Sequence, residues 1–303
     1  MSQKHILITG GTGFLGSALV AEQLEQGHQV SVLTRNQDAA LRKLGPKVQT
    51  LSNLTQLPDS IYYDAVINLA GAPIFGSRWT NERKQLICDS RIALTESLLA
   101  YIAKLPVKPE VLISGSAIGI YGNQGDSLLT EQSKGVPDFS QKLCVDWESA
   151  ALEAEKLGVR VCLIRTGLVL DRDGGLLEKM LPAFRLGLGG QLGNGKQWMS
   201  WIHRSDWLGI VDTLLNNQNL RGEFNATAPQ PVTNQEFSAS LAKQLQKPML
   251  LPLSASILRL LLGEMADLVL GSQRGIPERM LNAGYRFQFE KLPEALQKIL
   301  EKH

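Results

Sequence analysis

Cysteine and histidine are scarce in this chain: Cys88, Cys144 and Cys162 are its only thiols, and four histidines are spread over 303 residues. No Cys-x-x-Cys pair occurs, so neither a disulfide framework nor a structural zinc is expected, and no metal site is assigned. Such thiol usage fits a reducing, cytoplasmic compartment. Charge of one sign is also lacking, because 31 Lys and Arg stand against 29 Asp and Glu for a net charge of +2. Nucleic-acid binding draws on a basic surplus that is absent here. Long apolar runs are missing as well. The most apolar late stretch, residues 254–271, is interrupted by Arg259, Glu264 and Asp267, whereas a membrane span needs about 20 mostly apolar residues. Residues 1–5 are polar and the apolar run that follows is too short for a secretion signal. The expected partner is a small molecule, not a nucleic acid or a membrane.

The composition, 44% apolar and 20% charged, is that of an ordinary globular protein. Short aliphatic runs at 5–9, 29–34, 48–51, 65–69, 110–114 and 160–165 alternate with helix-like stretches, the pattern of a parallel sheet covered by helices on both faces. Leu15, Leu19, Val20 and Leu24 recur at helical spacing between the first two runs. A long helix is predicted over 80–104, another over 140–157, and shorter ones over 204–216 and 234–245. After about residue 170 glycine-rich turns become frequent, including 187–195. The predicted fold is therefore α/β: a doubly wound parallel sheet over residues 1–170, with a returning segment at about 200–230, followed by a smaller mixed lobe over 171–303. The cleft between the two is the expected ligand site.

Thr9-Gly10-Gly11-Thr12-Gly13-Phe14-Leu15-Gly16 falls between the first strand and the first helix. That is where a dinucleotide pyrophosphate meets a helix N-terminus. Gly10 suits the tight turn, Gly13 the approach of phosphate to backbone, and Gly16 close packing of helix on sheet. Nineteen residues after Gly16, where an NAD-selective site would carry a carboxylate, the chain has Arg35. A guanidinium can pair with a ribose 2′-phosphate, so NADP(H) is the expected cofactor. Residues 65–71 read as a strand ending in small residues, which suits either a cofactor ring or plain core packing.

Together, the glycine loop, Asn68-Leu69-Ala70-Gly71 and Ser114-Gly115-Ser116-Ala117 with Tyr121-Gly122 resemble the extended short-chain dehydrogenase/reductases, the nucleotide-sugar epimerase group with its Rossmann-type sheet. Arg78-Trp79-Thr80, Ser90-Arg91, Arg165-Thr166-Gly167, Trp201-Ile202-His203 and Ser272-Gln273-Arg274 further resemble an atypical branch. Its members are known as epimerase family proteins and carry a C-terminal domain of unknown function, here at about 248–300. The resemblance implies that Thr12, Phe14, Leu15, Leu69, Ala70, Gly71, Ser114, Gly115, Arg165, Thr166 and Gly167 join the loop glycines and Arg35 around the cofactor. It puts Ser116 at the catalytic serine of the group.

The usual Tyr-x-x-x-Lys pair is absent. Phe139 stands where the tyrosine belongs and Leu143 where the lysine belongs. A phenol moves the proton in that chemistry, and Phe has none to give. Tyr121 and Lys142 are the candidate replacements, with Tyr121 equally readable as a core aromatic. Arg91, Trp201 and His203 are candidates for substrate binding; His203 lies in a sequence that could as well cap a helix. Residues 187–201, with five glycines, Trp198 and Trp201, read either as an aromatic flap or as an anchor for the lobe. Two functions remain open: an NADP-dependent oxidoreductase or epimerase acting on a small carbonyl or sugar-like substrate, and a non-catalytic NADP(H)-binding sensor. Either a monomer or a homodimer is compatible with the helices at 80–104 and 140–157.

Overall fold

The computed structural model describes residues 2–54, 61–250 and 252–301. Its first half runs β1 (His5–Thr9), α1 (Phe14–Glu25), β2 (Gln29–Leu33), α2 (Gln37–Leu44), β3 (Gln49–Leu51), β4 (Ala65–Asn68), α3 (Asn81–Asp89), α4 (Ile92–Lys104) and β5 (Val111–Ala117). Next come β6 (Leu128–Leu129), α5 (Phe139–Leu152), β7 (Arg160–Thr166), β8 (Leu168–Asp171), α6 (Gly175–Arg185), β9 (Trp198–Met199), β10 (Trp201–His203) and α7 (Arg204–Asn216). The remainder comprises β11 (Gly222–Ala226), β12 (Val232–Thr233), α8 (Asn234–Gln244), α9 (Ala255–Leu262), α10 (Ala266–Leu270), β13 (Arg274–Gly275), α11 (Glu278–Asn282) and α12 (Leu292–Leu300).

Seven strands form one parallel sheet in the order β11-β7-β5-β4-β1-β2-β3. Side chains alternate across a strand, so a sheet covered on both faces needs apolar residues at every position. β1 meets that demand: Ile6 and Ile8 enter one core cluster with Leu19 of α1 and Trp207 of α7, while Leu7 enters the opposite one with Leu98 and Ile102 of α4. Strand order turns outward in both directions from β1. A crevice consequently opens beyond the C-terminal ends of β1 and β4, the place where such sheets take ligands.

A third cluster, including Leu181, Phe184, Trp201, Phe237, Leu241 and Leu296, holds the C-terminal lobe together around the β8–β10 and β9–β12 pairs. No helix among the described residues is long and apolar enough to cross a membrane.

Three elements differ from their predicted form. The helix expected over 80–104 is two helices, α3 and α4, because the chain turns tightly at Ser90 and Arg91, where the Arg91 N–H bonds Cys88 O at 3.0 Å and the Ser90 hydroxyl accepts from the Ala72 N–H at 2.8 Å. That turn sends the Arg91 side chain inward. β5 continues past 114 to Ala117, since Gly115, Ser116 and Ala117 stay in register with Ile164, Arg165 and Thr166 of β7. α5 starts at Phe139, capped by the Asp138 carboxylate on the Gln141 N–H at 2.7 Å, and ends at Leu152, with a 3₁₀ turn over Glu153–Leu157.

Asp206, in the first turn of α7, is fully buried and ties the last part of the chain to the main sheet. Its carboxylate accepts from the Gln288 N–H at 2.7 Å, the Phe289 N–H at 3.0 Å and the Tyr285 hydroxyl at 3.3 Å. Hydrogen bonds to a buried charge contribute more than neutral ones, and their donors would be stranded without it. Asp206→Ala is expected to destabilise the protein by about 3 kcal/mol, read as a lower midpoint in urea denaturation.

Candidate functional site

The crevice is built first by backbone. The Thr9 hydroxyl donates to Asn68 Oδ1 at 2.7 Å and accepts from the Ala70 N–H, while Asn68 Nδ2 reaches the Thr95 hydroxyl at 2.8 Å, so the ends of β1 and β4 are joined by buried polar contacts. Gly10 has φ +70° and packs so tightly on the next strand that an added Cβ would lie 2.7 Å from the Leu69 carbonyl. A Cβ on Gly16 would collide with Gly10 O. Gly13 caps α1 without any side-chain hydrogen bond, which leaves first-turn N–H groups of the helix available to an anion. This cradle fits a pyrophosphate.

Arg35 lies exposed just beyond β2. Lys43 of α2 adds a second cation, its ammonium 2.8 Å from Thr12 O in the glycine loop. Sequence reasoning missed Lys43, because only the packing of α2 brings a residue eight positions past Arg35 back to the loop.

α5 presents two ridges. Phe139, Leu143 and Trp147, four residues apart, share one face; Phe139 meets Trp79 edge-on at 4.8 Å and Trp147 packs on Gly115. The adjacent ridge is polar. Its Glu148 accepts from the Ser116 hydroxyl at 2.6 Å and from Arg165 Nε and Nη2 at 2.9 and 2.8 Å. Arg165 Nη1 donates to the Tyr121 oxygen at 3.2 Å and to Glu131 O at 2.9 Å, and the Tyr121 hydroxyl donates to Asn225 Oδ1 at 2.7 Å. Burial pushes the Tyr121 phenol up to about 12, against the pull of Arg165.

Ser116, Tyr121 and Arg165 therefore come together, in a buried network where each proton already has an acceptor. Lys142 does not join them: it is exposed and pairs with Asp146 at 2.8 Å, because one residue along a helix turns a side chain by about 100°. Ser114 is fully buried beneath the strand ends. Thr166 accepts from the Trp207 indole at 3.1 Å, and Gly167 packs against the Ser200 backbone. Leu69, Ala70 and Gly71 line the end of β4, with Phe14 and Leu15 in the first turn of α1.

Trp201 is fully buried and donates to Gln230 O at 2.9 Å, so it offers no face to a ligand. Trp198 hydrogen-bonds Asp126 and lies under Arg274 at 4.2 Å. These tryptophans anchor the lobe. His203 caps α7, its Nδ1 accepting from the Ser205 N–H at 3.1 Å, with its ring against Phe289 at 4.2 Å. The cap is His203 itself, whereas the sequence suggested Ser205 or Asp206 in that place, and both of these lie inside α7.

A cavity of about 340 Å³ opens at the start of α5. Trp79, Phe139, Asn123 and Gln273 face it from one side, and Arg259 and Asp267 from α9 and α10. Arg78 holds that far wall by donating to Leu260 O at 2.6 Å and Leu261 O at 3.3 Å, and Lys84 pairs with Glu264. Thr80 caps α3. The Arg78-Trp79-Thr80 motif thus supplies a clasp, a wall and a cap in succession.

A family model described as the NAD dependent epimerase/dehydratase family matches residues 6–226, and one for a domain of unknown function, DUF1731, matches residues 253–299. The chain is 37% identical to the "Epimerase family protein SDR39U1 homolog, chloroplastic" of Arabidopsis thaliana, over 99% of this chain and 88% of that protein. It is also 37% identical to "Epimerase family protein YfhF" of Bacillus subtilis, over 98% of each. Among solved structures, human epimerase family protein SDR39U1, crystallised with NADPH, matches with a TM-score of 0.88 and 33% identity over 97% of this chain and 98% of that one. A nucleoside-diphosphate sugar epimerase from Corynebacterium glutamicum matches with a TM-score of 0.78 and 29% identity over 98% of this chain and 58% of its own.

Burial pulls the His203 imidazole down to about 4, although Asp171 opposes the shift. The unfolded chain takes up this proton near pH 6.5 and the folded one only near 4, so the contribution is complete above pH 6.5 and is lost as pH falls towards 4. The loss is expected to be about 1–2 kcal/mol after allowance for partial exposure. His203→Asn retains a capping acceptor and should flatten this part of the dependence of Tm on pH relative to the unmodified protein.

Proposed function

Because the chain belongs to the NAD dependent epimerase/dehydratase family, we propose that it binds NADP(H) in the β1–β4 crevice and acts as an oxidoreductase on a small carbonyl or sugar-like substrate in the cavity beside Phe139. The observation that carries the reading is the pairing of an uncapped α1 N-terminus over Gly10 and Gly13 with two cations, Arg35 and Lys43, on the β2 side. The loop and the first-turn N–H groups hold the pyrophosphate. Arg35 and Lys43 meet the 2′-phosphate, which a carboxylate would repel. The nicotinamide, when bound, supplies or accepts the hydride. Ser116 gives its own proton to Glu148 and so accepts a hydrogen bond from the hydroxyl of an alcohol substrate, and in the carbonyl direction the proton that accompanies the hydride comes from solvent.

One observation favours a second reading, a non-catalytic NADP(H)-binding regulator: Tyr121 and Lys142 are both engaged elsewhere. In either case residues 1–170, with the return at 200–230, form the proposed cofactor unit and 171–303 the substrate or signalling unit. The three free thiols accord with a cytoplasmic location, and the working form is a monomer or a homodimer.

Arg35→Ala and Lys43→Ala are each expected to weaken NADPH by about tenfold while leaving NADH within about twofold, measured by fluorescence titration. NADPH consumption assayed with small aldehydes, ketones and reducing sugars separates the two readings. Turnover that falls about 100-fold in Ser116→Ala supports the oxidoreductase. Tight NADPH binding with no oxidation by any of them favours the regulator.

A further inference from the structure

Arg91 is a buried cation without a counter-charge. Its residue is 8% exposed, yet among the described residues no carboxylate approaches its guanidinium. Nη1 donates to Ile87 O at 3.1 Å and lies 3.5 Å from the Ser90 hydroxyl, and Nη2 donates to Ala72 O at 3.1 Å, all neutral acceptors. A buried charge with only neutral partners is costly to keep. Burial pulls its pKa below the usual guanidinium value, opposed by the thiols of Cys144 and Cys88 and aided by Arg83.

The position of this cation is specific. Its Cζ would lie 2.7 Å from a Cβ on Gly71, just past the end of β4, and it sits 5.3 Å over the Trp147 ring. Trp147 in turn touches Gly115 near the end of β5 and buries its indole N–H with no acceptor in the structure. Two donors lacking a matching acceptor or charge thus adjoin each other at the C-terminal ends of β4 and β5. Leu143, one turn before Trp147 on the same face of α5, brings no charge.

A dinucleotide crosses the switch point of such a sheet with one mononucleotide on each side. In this chain β2, with Arg35, lies on one side of β1, and β4 and β5 lie on the other. Resting on the cofactor reading above, we propose that Arg91, stacked on Trp147, is the positioning cation for the nicotinamide mononucleotide half of NADP(H), delivered by the break between α3 and α4. Small glycines at 71 and 115 keep room beside it. The break between α3 and α4, where Ser90 and Arg91 keep helical dihedrals but the ladder is interrupted, then serves to place this cation.

The test is calorimetric titration of the full chain and its Arg91→Met and Arg91→Lys variants with NADPH and with adenosine 2′,5′-bisphosphate, which lacks the nicotinamide half. Arg91→Met is expected to lose NADPH affinity by about 10- to 100-fold and to keep adenosine 2′,5′-bisphosphate within about twofold. Arg91→Lys, which retains the charge and carries the test if the Met variant does not fold, should lose about 3- to 10-fold for NADPH alone. Parallel losses for both ligands, or no loss for either, would overturn the assignment. If the unmodified chain binds neither ligand, the cofactor reading itself fails and this inference falls with it.

Discussion

The buried pair between Arg165 and Glu148 is the constraint around which the rest of the site is arranged. Two charges taken out of water cost several kcal/mol each unless their geometry is good and their remaining donors and acceptors are filled. Here the contact is bidentate, at 2.8 and 2.9 Å, and the other groups are filled by Ser116, Tyr121 and Glu131 O. The network continues through Asn225, which donates to Ile276 O, and through Glu131, whose carboxylate accepts from the Asn225 and Arg279 N–H groups. One ion pair therefore binds β5, β7, β11, α5 and the segment around β13 into a single body.

That arrangement decides what the family resemblance can mean chemically. The hydroxyl protons of Ser116 and Tyr121 go to Glu148 and Asn225, in a network that would be left unsatisfied if they moved. A group free to donate must have somewhere else to take its proton from, and Tyr121, with its phenol pushed up to about 12, has no reason to release one. Phe139, Leu143 and Trp147 make one face of α5 apolar.

The last part of the chain joins this body both through the main core, where Met280 and Phe287 pack with Ile210 and Phe224, and through polar clasps. Asp206 gathers residues 285–289, Ser272 donates to Gly125 O at 2.6 Å, and Arg78 holds the end of α9. Each clasp pairs a side chain with backbone, which fixes direction as well as distance. The cavity beside Phe139 is lined by Trp79, Asn123 and Phe139 and by Arg259, Asp267 and Gln273, so its shape depends on both parts of the chain.

Much of the framework was legible from residue order alone. Aliphatic runs, helical spacing and the Gly10–Gly13–Gly16 loop are local signals: each states its own backbone geometry, and the sheet, the crevice and the cofactor end follow from them. The resemblance, read against the sequence, implied a missing tyrosine and lysine at Phe139 and Leu143, since comparing residue types at a given spacing needs no coordinates. Tertiary structure decided everything that depends on which side chain another one reaches. Lys43 returns to the glycine loop only through packing of α2, Lys142 points away because of helical phase, and His203 is a cap because its ring is held against Phe289. Arg91 stood out in the sequence as a candidate for substrate binding, but its burial at the turn by Ser90 is visible only in the fold. Burial and pairing are properties of distant segments brought together, and no local pattern encodes them.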